Sequence, residues 1–179
     1  APGFKAAYQA LQGAGWCGAP FDPAYGGQGL PWVLCFALQE MWATANMAFS
    51  LCPLLTQGAV EVFATHGTEA QKKLYLEKLA TGAWTGSMQL TEPQAGSDVG
   101  ALRLKAVRKD DHYLLSGQKI YITYGDHDFT DNILHMVLGR VEGAPAGIKG
   151  ISLFVCPKGL PDGTRNDVKA ISLEHKMGI

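Results

Sequence analysis

Near Gly82 the spacing of apolar residues changes from a period of about 3.6 to a period of 2, and one uniform layer of structure cannot satisfy both. Upstream, Leu34, Leu38, Met41, Ala45 and Ala48 recur at helical spacing, and Leu55, Ala59, Val62 and Phe63 do so again in a second segment. Downstream, Leu102, Leu104 and Ala106 alternate with Arg103 and Lys105, as in a half-buried strand. The expected fold class is therefore α+β. An all-helical domain over residues 1–85 precedes an antiparallel β domain, barrel- or sandwich-like, over residues 86–179, with the change falling between Gly82 and Ser87. A chain of 179 residues, 47% of them hydrophobic, is large enough to bury a sizeable core around such a pair.

Local chemistry refines the boundaries. Residues 4–12 form a short helical candidate, and Pro31 suits the first position of the next helix. Between them Gly26-Gly27-Gln28-Gly29 holds no regular structure cheaply and reads as a flexible loop near a substrate entrance. His66-Gly67 has the composition of a helix end with a left-handed cap, and Thr68-Glu69-Ala70-Gln71 has the spacing of a capping box opening a helix to about Thr81. Asp110-Asp111 reads as a hairpin turn. Strands are expected at Tyr113–Thr123 with a break at Ser116-Gly117, and at Ile133–Leu138, Ile151–Cys156 and Val168–Leu173.

The charge balance, 15 Lys and Arg against 16 Asp and Glu, gives no field that would gather nucleic acid or an anionic membrane. Cys17, Cys35, Cys52 and Cys156 are far apart with no C-x-x-C pair, as reduced core residues are. The apolar runs, such as Leu30–Leu38, are short and interrupted for a membrane span, so a cytoplasmic or mitochondrial-matrix protein is expected. Asp126, His127, Asp128, Asp131 and His135 lack the spacing of a calcium loop or of a His-Glu-x-x-His site, so they read as a solvated turn and no metal is expected. The chain opens without methionine at Ala1-Pro2-Gly3 and stops at Lys176-Met177-Gly178-Ile179 inside an apparent element, as a piece of a longer protein would.

Two stretches carry the chemistry. In Met88-Gln89-Leu90-Thr91-Glu92-Pro93-Gln94-Ala95-Gly96-Ser97-Asp98, a hydroxyl, a turn-fixing proline and a Gly-Ser pair can turn several donors toward one anionic or carbonyl-rich ligand, though a plain surface loop has the same composition. In Gly117-Gln118-Lys119-Ile120-Tyr121-Ile122-Thr123, a strand would put Ile120 and Ile122 on the core side and Tyr121 and Thr123 on the other, facing a flat ligand or simply solvent.

Together, in this order and separation, these stretches resemble the acyl-CoA dehydrogenase family, with its Thr-Glu-Pro…Gly-Ser-Asp loop and its Gly-x-Lys-x-aromatic-Ile-Thr strand. Tyr25-Gly26-Gly27-Gln28-Gly29 and Gly67-Thr68-Glu69-Ala70-Gln71-Lys72 resemble the family too, so the likeness spans essentially the whole chain. The resemblance implies FAD as cofactor, contacted by Met88, Leu90, Thr91, Gly96 and Ser97 from the loop and by Tyr121, Ile122 and Thr123 from the strand, with Ser97 also near the acyl-CoA substrate. It implies α,β-dehydrogenation of an acyl thioester, electrons leaving to an electron-transfer flavoprotein, and a homo-oligomer. The general base it implies is a glutamate in a C-terminal four-helix bundle beyond Ile179, not Glu92 or Glu174, so that residues 1–179 alone would be inactive. Tyr124-Gly125-Asp126-His127-Asp128, where the family often has Asn or Ser, is similar to a longer subgroup acting on 3-methylmercaptopropionyl-CoA. An acyl-CoA oxidase and a non-catalytic flavin-binding relative remain alternatives on these residues.

Overall fold

The computed structural model describes residues 2–178. Three helices, α1 (Phe4–Gly13), α2 (Trp32–His66) and α3 (Glu69–Ala80), precede five strands: β1 (Thr85–Gln89), β2 (Lys105–Lys109), β3 (His112–Ser116), β4 (Ile133–Val141) and β5 (Ile151–Pro157). The helical-then-β order read from the change of period is the order observed.

The capping box at the start of α3 forms as its spacing predicts. Thr68 Oγ1 accepts from the Gln71 N–H at 3.2 Å and Gln71 Oε1 accepts from the Thr68 N–H at 2.9 Å. Gly67, expected to be left-handed, is extended at φ −66°, ψ 144°. Its lack of a side chain answers a different need, because a Cβ there would lie 2.6 Å from the Phe63 carbonyl oxygen.

α2 is the two segments of the sequence pattern joined at a break. Asn46 leaves the helical region at φ −162°, ψ 99°, and its side chain accepts from the Phe49 N–H at 2.9 Å, capping the segment that follows. Asn46→Ala is expected to cost about 1 kcal/mol in urea denaturation, the usual worth of a lost N-cap. Against the expectation from the sequence, α2 is by length and composition long and apolar enough to cross a membrane, with a mean hydropathy of 1.4 over 18 residues. Here its second segment packs on the sheet and on α3, burying Cys52, Thr56, Ala59, Val60 and Phe63. The first segment leaves Val33, Phe36 and Met41 exposed.

Helices and sheet share one core, in which Phe21, Ala59, Val60, Phe63, Leu76 and Leu79 meet Leu134 and Met136 of β4. Close approach of α2 to β1 depends on Gly86, where a Cβ would sit 2.5 Å from that of Ala59; its N–H donates to Thr56 Oγ1 at 3.1 Å.

The sheet is mixed rather than antiparallel. β4 is its spine: β5 runs antiparallel along one edge, and β1 and β2 lie one after the other, both parallel, along the other. β3 pairs antiparallel with β2 through a hairpin turned at Asp110, φ 52°. Only this hairpin and the β4–β5 connection join successive strands directly; β1 and β2 reach β4 through long connections, which permit parallel pairing. Two expected strands do not form. Residues 117–123 and 168–173 have no ladder, and Ile171 and Leu173 are exposed, because alternation supplies a face but not a partner edge.

Candidate functional site

β1 ends opposite Val137 and β2 begins opposite Arg140, so residues 90–104 are an excursion that leaves the edge of β4 and returns to it almost at once. Such a loop must organise itself, and Glu92 is its centre. The Glu92–Ala95 pair exchanges backbone hydrogen bonds of 2.9 and 3.0 Å around Pro93. The buried carboxylate accepts from the N–H groups of Arg103 (2.6 Å) and Leu104 (3.0 Å), from Gln94 Nε2 (2.6 Å) and from Lys119 Nζ (2.9 Å). Burial alone would raise its pKa; these four donors outweigh it and hold Glu92 below the usual carboxylate range.

Lys119 belongs to the second stretch. Its ammonium also donates to the Leu90 carbonyl at 2.9 Å, and the next residue donates its N–H, Ile120 to Thr91 O, at 3.0 Å. The stretch is thereby laid against the loop without joining the sheet. The alternation read from the sequence survives the loss of the strand: Lys119, Ile120 and Ile122 are at least half-buried while Tyr121 and Thr123 are exposed. Tyr121 reaches that exposure, 48%, with φ 58°, a left-handed conformation that side chains of its size rarely adopt. Such a conformation costs about 1–3 kcal/mol, and the Tyr121 ring carries Lys176 Nζ 4.6 Å from its centroid.

The expected site residues divide into two sets. The Thr91–Ile120 and Leu90–Lys119 hydrogen bonds lay the stretch that carries Tyr121, Ile122 and Thr123 against the loop that carries Leu90, Thr91, Gly96 and Ser97, with Gly96 beside Thr91. A Cβ at Gly96 would meet nothing nearer than Thr91 Cγ2 at 4.0 Å, so internal packing does not require a glycine there. Thr91 is half-buried and Ser97 and Thr123 are exposed, and none of their hydroxyls has a partner among the described residues. Met88 stands apart, its side chain packed into the core under α2 and α3, which leaves its main chain as the part able to face a ligand.

On β1, β4 and the loop before β4 lies a polar cluster that the solvated-turn reading missed. His127 Nδ1 accepts from the Phe129 N–H at 3.2 Å, so its Nε2–H donates to Thr85 Oγ1 at 2.9 Å. His135 pairs through Nδ1 with Ser87 Oγ at 2.7 Å, both fully buried, and its Nε2 has no partner. Burial, the largest influence, pushes both imidazoles down to about 4. Asp126 is held by Lys158. Among the described residues no three His, Cys, Asp or Glu side chains are placed to share a metal ion.

Residues 2–83 match the family model of the acyl-CoA dehydrogenase N-terminal domain, and residues 87–179 match that of the acyl-CoA dehydrogenase middle domain. The chain belongs to the acyl-CoA dehydrogenase family. It is 48% identical over 183 aligned residues to the 3-methylmercaptopropionyl-CoA dehydrogenase of Ruegeria pomeroyi, an alignment that covers 99% of this chain and 31% of that protein. It spans about a third of the length of the curated relatives it matches first. Among solved structures, the electron transferring flavoprotein structure of Acidaminococcus fermentans matches with a TM-score of 0.75 at 32% identity, over 86% of this chain and 40% of that one. The FAD complex of PigA matches with a TM-score of 0.73 at 25% identity, over 88% and 40%.

For this acyl-CoA dehydrogenase segment, the residues that sequence reasoning passed over are Lys119 and the histidines. Both left a trace. A lysine inside an otherwise apolar-facing stretch, and a histidine in the middle of Ile133-Leu134-His135-Met136-Val137, each demand a buried partner.

Proposed function

We propose that these residues form the flavin-facing part of an FAD-dependent acyl-CoA dehydrogenase that oxidises an acyl-CoA thioester to the α,β-enoyl thioester and passes the electrons to an electron-transfer flavoprotein. The observation that supports this reading is the joining of two separate stretches by Lys119 and the Thr91–Ile120 backbone bond, with Ser97, Tyr121 and Thr123 exposed and the Thr91, Ser97 and Thr123 hydroxyls without a partner among the described residues.

FAD fits these groups. Its ring system offers flat π surfaces and carbonyl and nitrogen acceptors, matching the Thr91 and Thr123 hydroxyls and the half-exposed Tyr121 ring, over which Lys176 Nζ lies 4.6 Å from the centroid and would have to share or leave the ring, and the open side of Gly96 admits a pyrophosphate near the backbone. When bound, FAD supplies the acceptor for the hydride that leaves the β-carbon. Thr123 would donate beside the ring nitrogen where negative charge gathers, Thr91 would fix the pyrimidine edge, and Ser97 would lie between pyrophosphate and thioester. Glu92 cannot take the α-proton, because it is buried and its oxygens accept from four donors. That role falls to a carboxylate in the part of the relatives' length that this chain does not span. The exposed face of α2 at Val33, Phe36 and Met41 is proposed to be covered by the same part.

The subgroup similarity makes 3-methylmercaptopropionyl-CoA the first substrate to try, followed by straight-chain thioesters. The purified protein is expected to show flavin absorption that bleaches on anaerobic addition of a thioester and recovers with an electron-transfer flavoprotein. Recovery with oxygen alone at a comparable rate would make it an oxidase; a colourless protein that cannot be reconstituted with FAD would sink the reading.

A further inference from the structure

The β2–β3 ladder, which pairs Lys105 with Ser116, sets Leu104 beside Gly117 and so holds one end of the two flavin-facing stretches together, but it does not reach Leu90–Glu92 or Lys119–Tyr121. Residues 117–123 pair with no strand, and residues 90–103 are outside the ladder that β1 and β2 make with β4, which the chain rejoins at Leu104, whose carbonyl accepts from the Arg140 N–H at 2.9 Å. Away from that Leu104–Gly117 end, the hydrogen bonds that join them among the described residues are one from the backbone, Ile120 N–H to Thr91 O, and those of one side chain, Lys119. The Lys119 and Glu92 side chains are only 4% and 3% exposed, so this ion pair is removed from water and its geometry is not averaged over solvent-exposed rotamers.

Resting on the flavin reading above, we propose that Lys119 and Glu92 are positioning residues of the site: a buried clip that sets the distance between Thr91 and Tyr121, and through it the affinity for FAD. Neither touches the cofactor. Glu92 gathers the loop from three sides, through Gln94 within it and the Arg103 and Leu104 N–H groups at its return. Lys119 then fixes the second stretch to that gathered loop at two points, the Glu92 carboxylate and the Leu90 carbonyl, each at 2.9 Å. A compact ammonium can serve both acceptors, which lie on one short arc of chain. The clip engages the Leu90 and Thr91 carbonyls inwardly, so the groups of those residues left to face a ligand are the N–H groups and the Thr91 hydroxyl.

A stability role and a positioning role separate experimentally, because a buried ion pair can be exchanged for an apolar pair of similar volume without loss of stability, whereas removing one partner strands a charge. The test is the variant E92M/K119M, followed by its melting temperature, its dissociation constant for FAD by quenching of flavin fluorescence, and amide exchange over residues 91–97 in the flavin-free protein. The expected result is a melting temperature near or above the parent's, a dissociation constant raised at least tenfold, and faster exchange over the loop. Parental affinity and parental exchange in a folded double variant overturn the proposal. Should that variant not fold, Glu92→Gln keeps the volume and removes the charge; a severalfold weaker affinity supports the clip, and an unchanged one overturns it. If the parent takes up no FAD, the flavin reading fails by itself, and loop exchange alone decides for or against the clip.

Discussion

Between pH 7.5 and pH 5 the protein is expected to lose about 3–4 kcal/mol of folding stability through His127 and His135. Each imidazole is pushed from an ordinary value of 6.5 down to about 4, first by burial. For His127 the neighbouring Lys158 adds to the depression while Asp126 and Asp128 oppose it. For His135 Asp126 opposes, and Lys158 and His127 add to the depression.

The sign follows from proton counting. Below 6.5 the unfolded chain binds protons at these positions and the folded chain does not, so unfolding gains on every step toward acid. The contribution is complete above 6.5, falls as the pH drops toward 4, and levels off once the folded imidazoles also protonate. At pH 5 each histidine accounts for about 2 kcal/mol, with His127 giving somewhat less because it is only half-buried. Glu92 acts in a lower window, since its depressed pKa keeps it ionised until the pH falls below 4.5, its ordinary value. Urea denaturation at pH 7.5, 6 and 5 checks this, with H127N/H135N as the comparison. The double variant is less stable at pH 7.5 but should show a much flatter pH slope; slopes that run parallel would dismiss the histidines as the cause.

How far the sequence disclosed this arrangement depends on the kind of interaction that sets each part. Periodicity and capping act over a few residues, so the order of helices and strands, the capping box at Thr68 and the turn at Asp110 were readable from adjacent letters. The two stretches proposed to face the flavin were readable as residue types. Their relation was not, because it rests on Lys119 reaching Leu90 and Glu92, 29 and 27 positions away. The parallel placement of β1 and β2 on one edge of β4 was hidden for the same reason: alternation fixes which face a residue takes but not which strand lies beside it. Left-handed Tyr121 contradicts local propensity outright, and such exceptions occur where a site imposes its own geometry. The polar signal at His135 was visible, and was misread because Asp126, His127 and Asp128 nearby suggested a solvent-facing turn.

The Gly26-Gly27-Gln28-Gly29 run illustrates the opposite error, in which glycine was taken as flexibility. Residues 18–30 are cross-linked by backbone hydrogen bonds from Gly27 N to Asp22 O (3.1 Å), Gln28 N to Gly18 O (2.9 Å), Gly29 N to Phe21 O (2.8 Å) and Leu30 N to Ala19 O (2.8 Å). Gly26 and Gly29 are left-handed, at φ 80° and 64°, whereas Gly27 is required for space. A Cβ on Gly27 would lie 2.0 Å from the Phe21 carbonyl oxygen and 2.8 Å from its Cα, a collision with backbone that no rotamer change relieves. Phe21 in turn is 5% exposed and packs in the core shared by α2, α3 and β4, so the collision cannot be passed outward. Gly27→Ala is therefore expected to cost about 3 kcal/mol or more, at the upper end for overpacking. Gly58→Ala is the internal control: a Cβ there meets nothing within 4 Å, and inside α2 alanine should stabilise by about 0.5–1 kcal/mol. Opposite shifts of the urea midpoint for the two variants would show that the loop is a packed element. A Gly27→Ala midpoint within the scatter of the parent would mean that residues 18–30 yield easily, and would return the run to its first reading as a flexible loop.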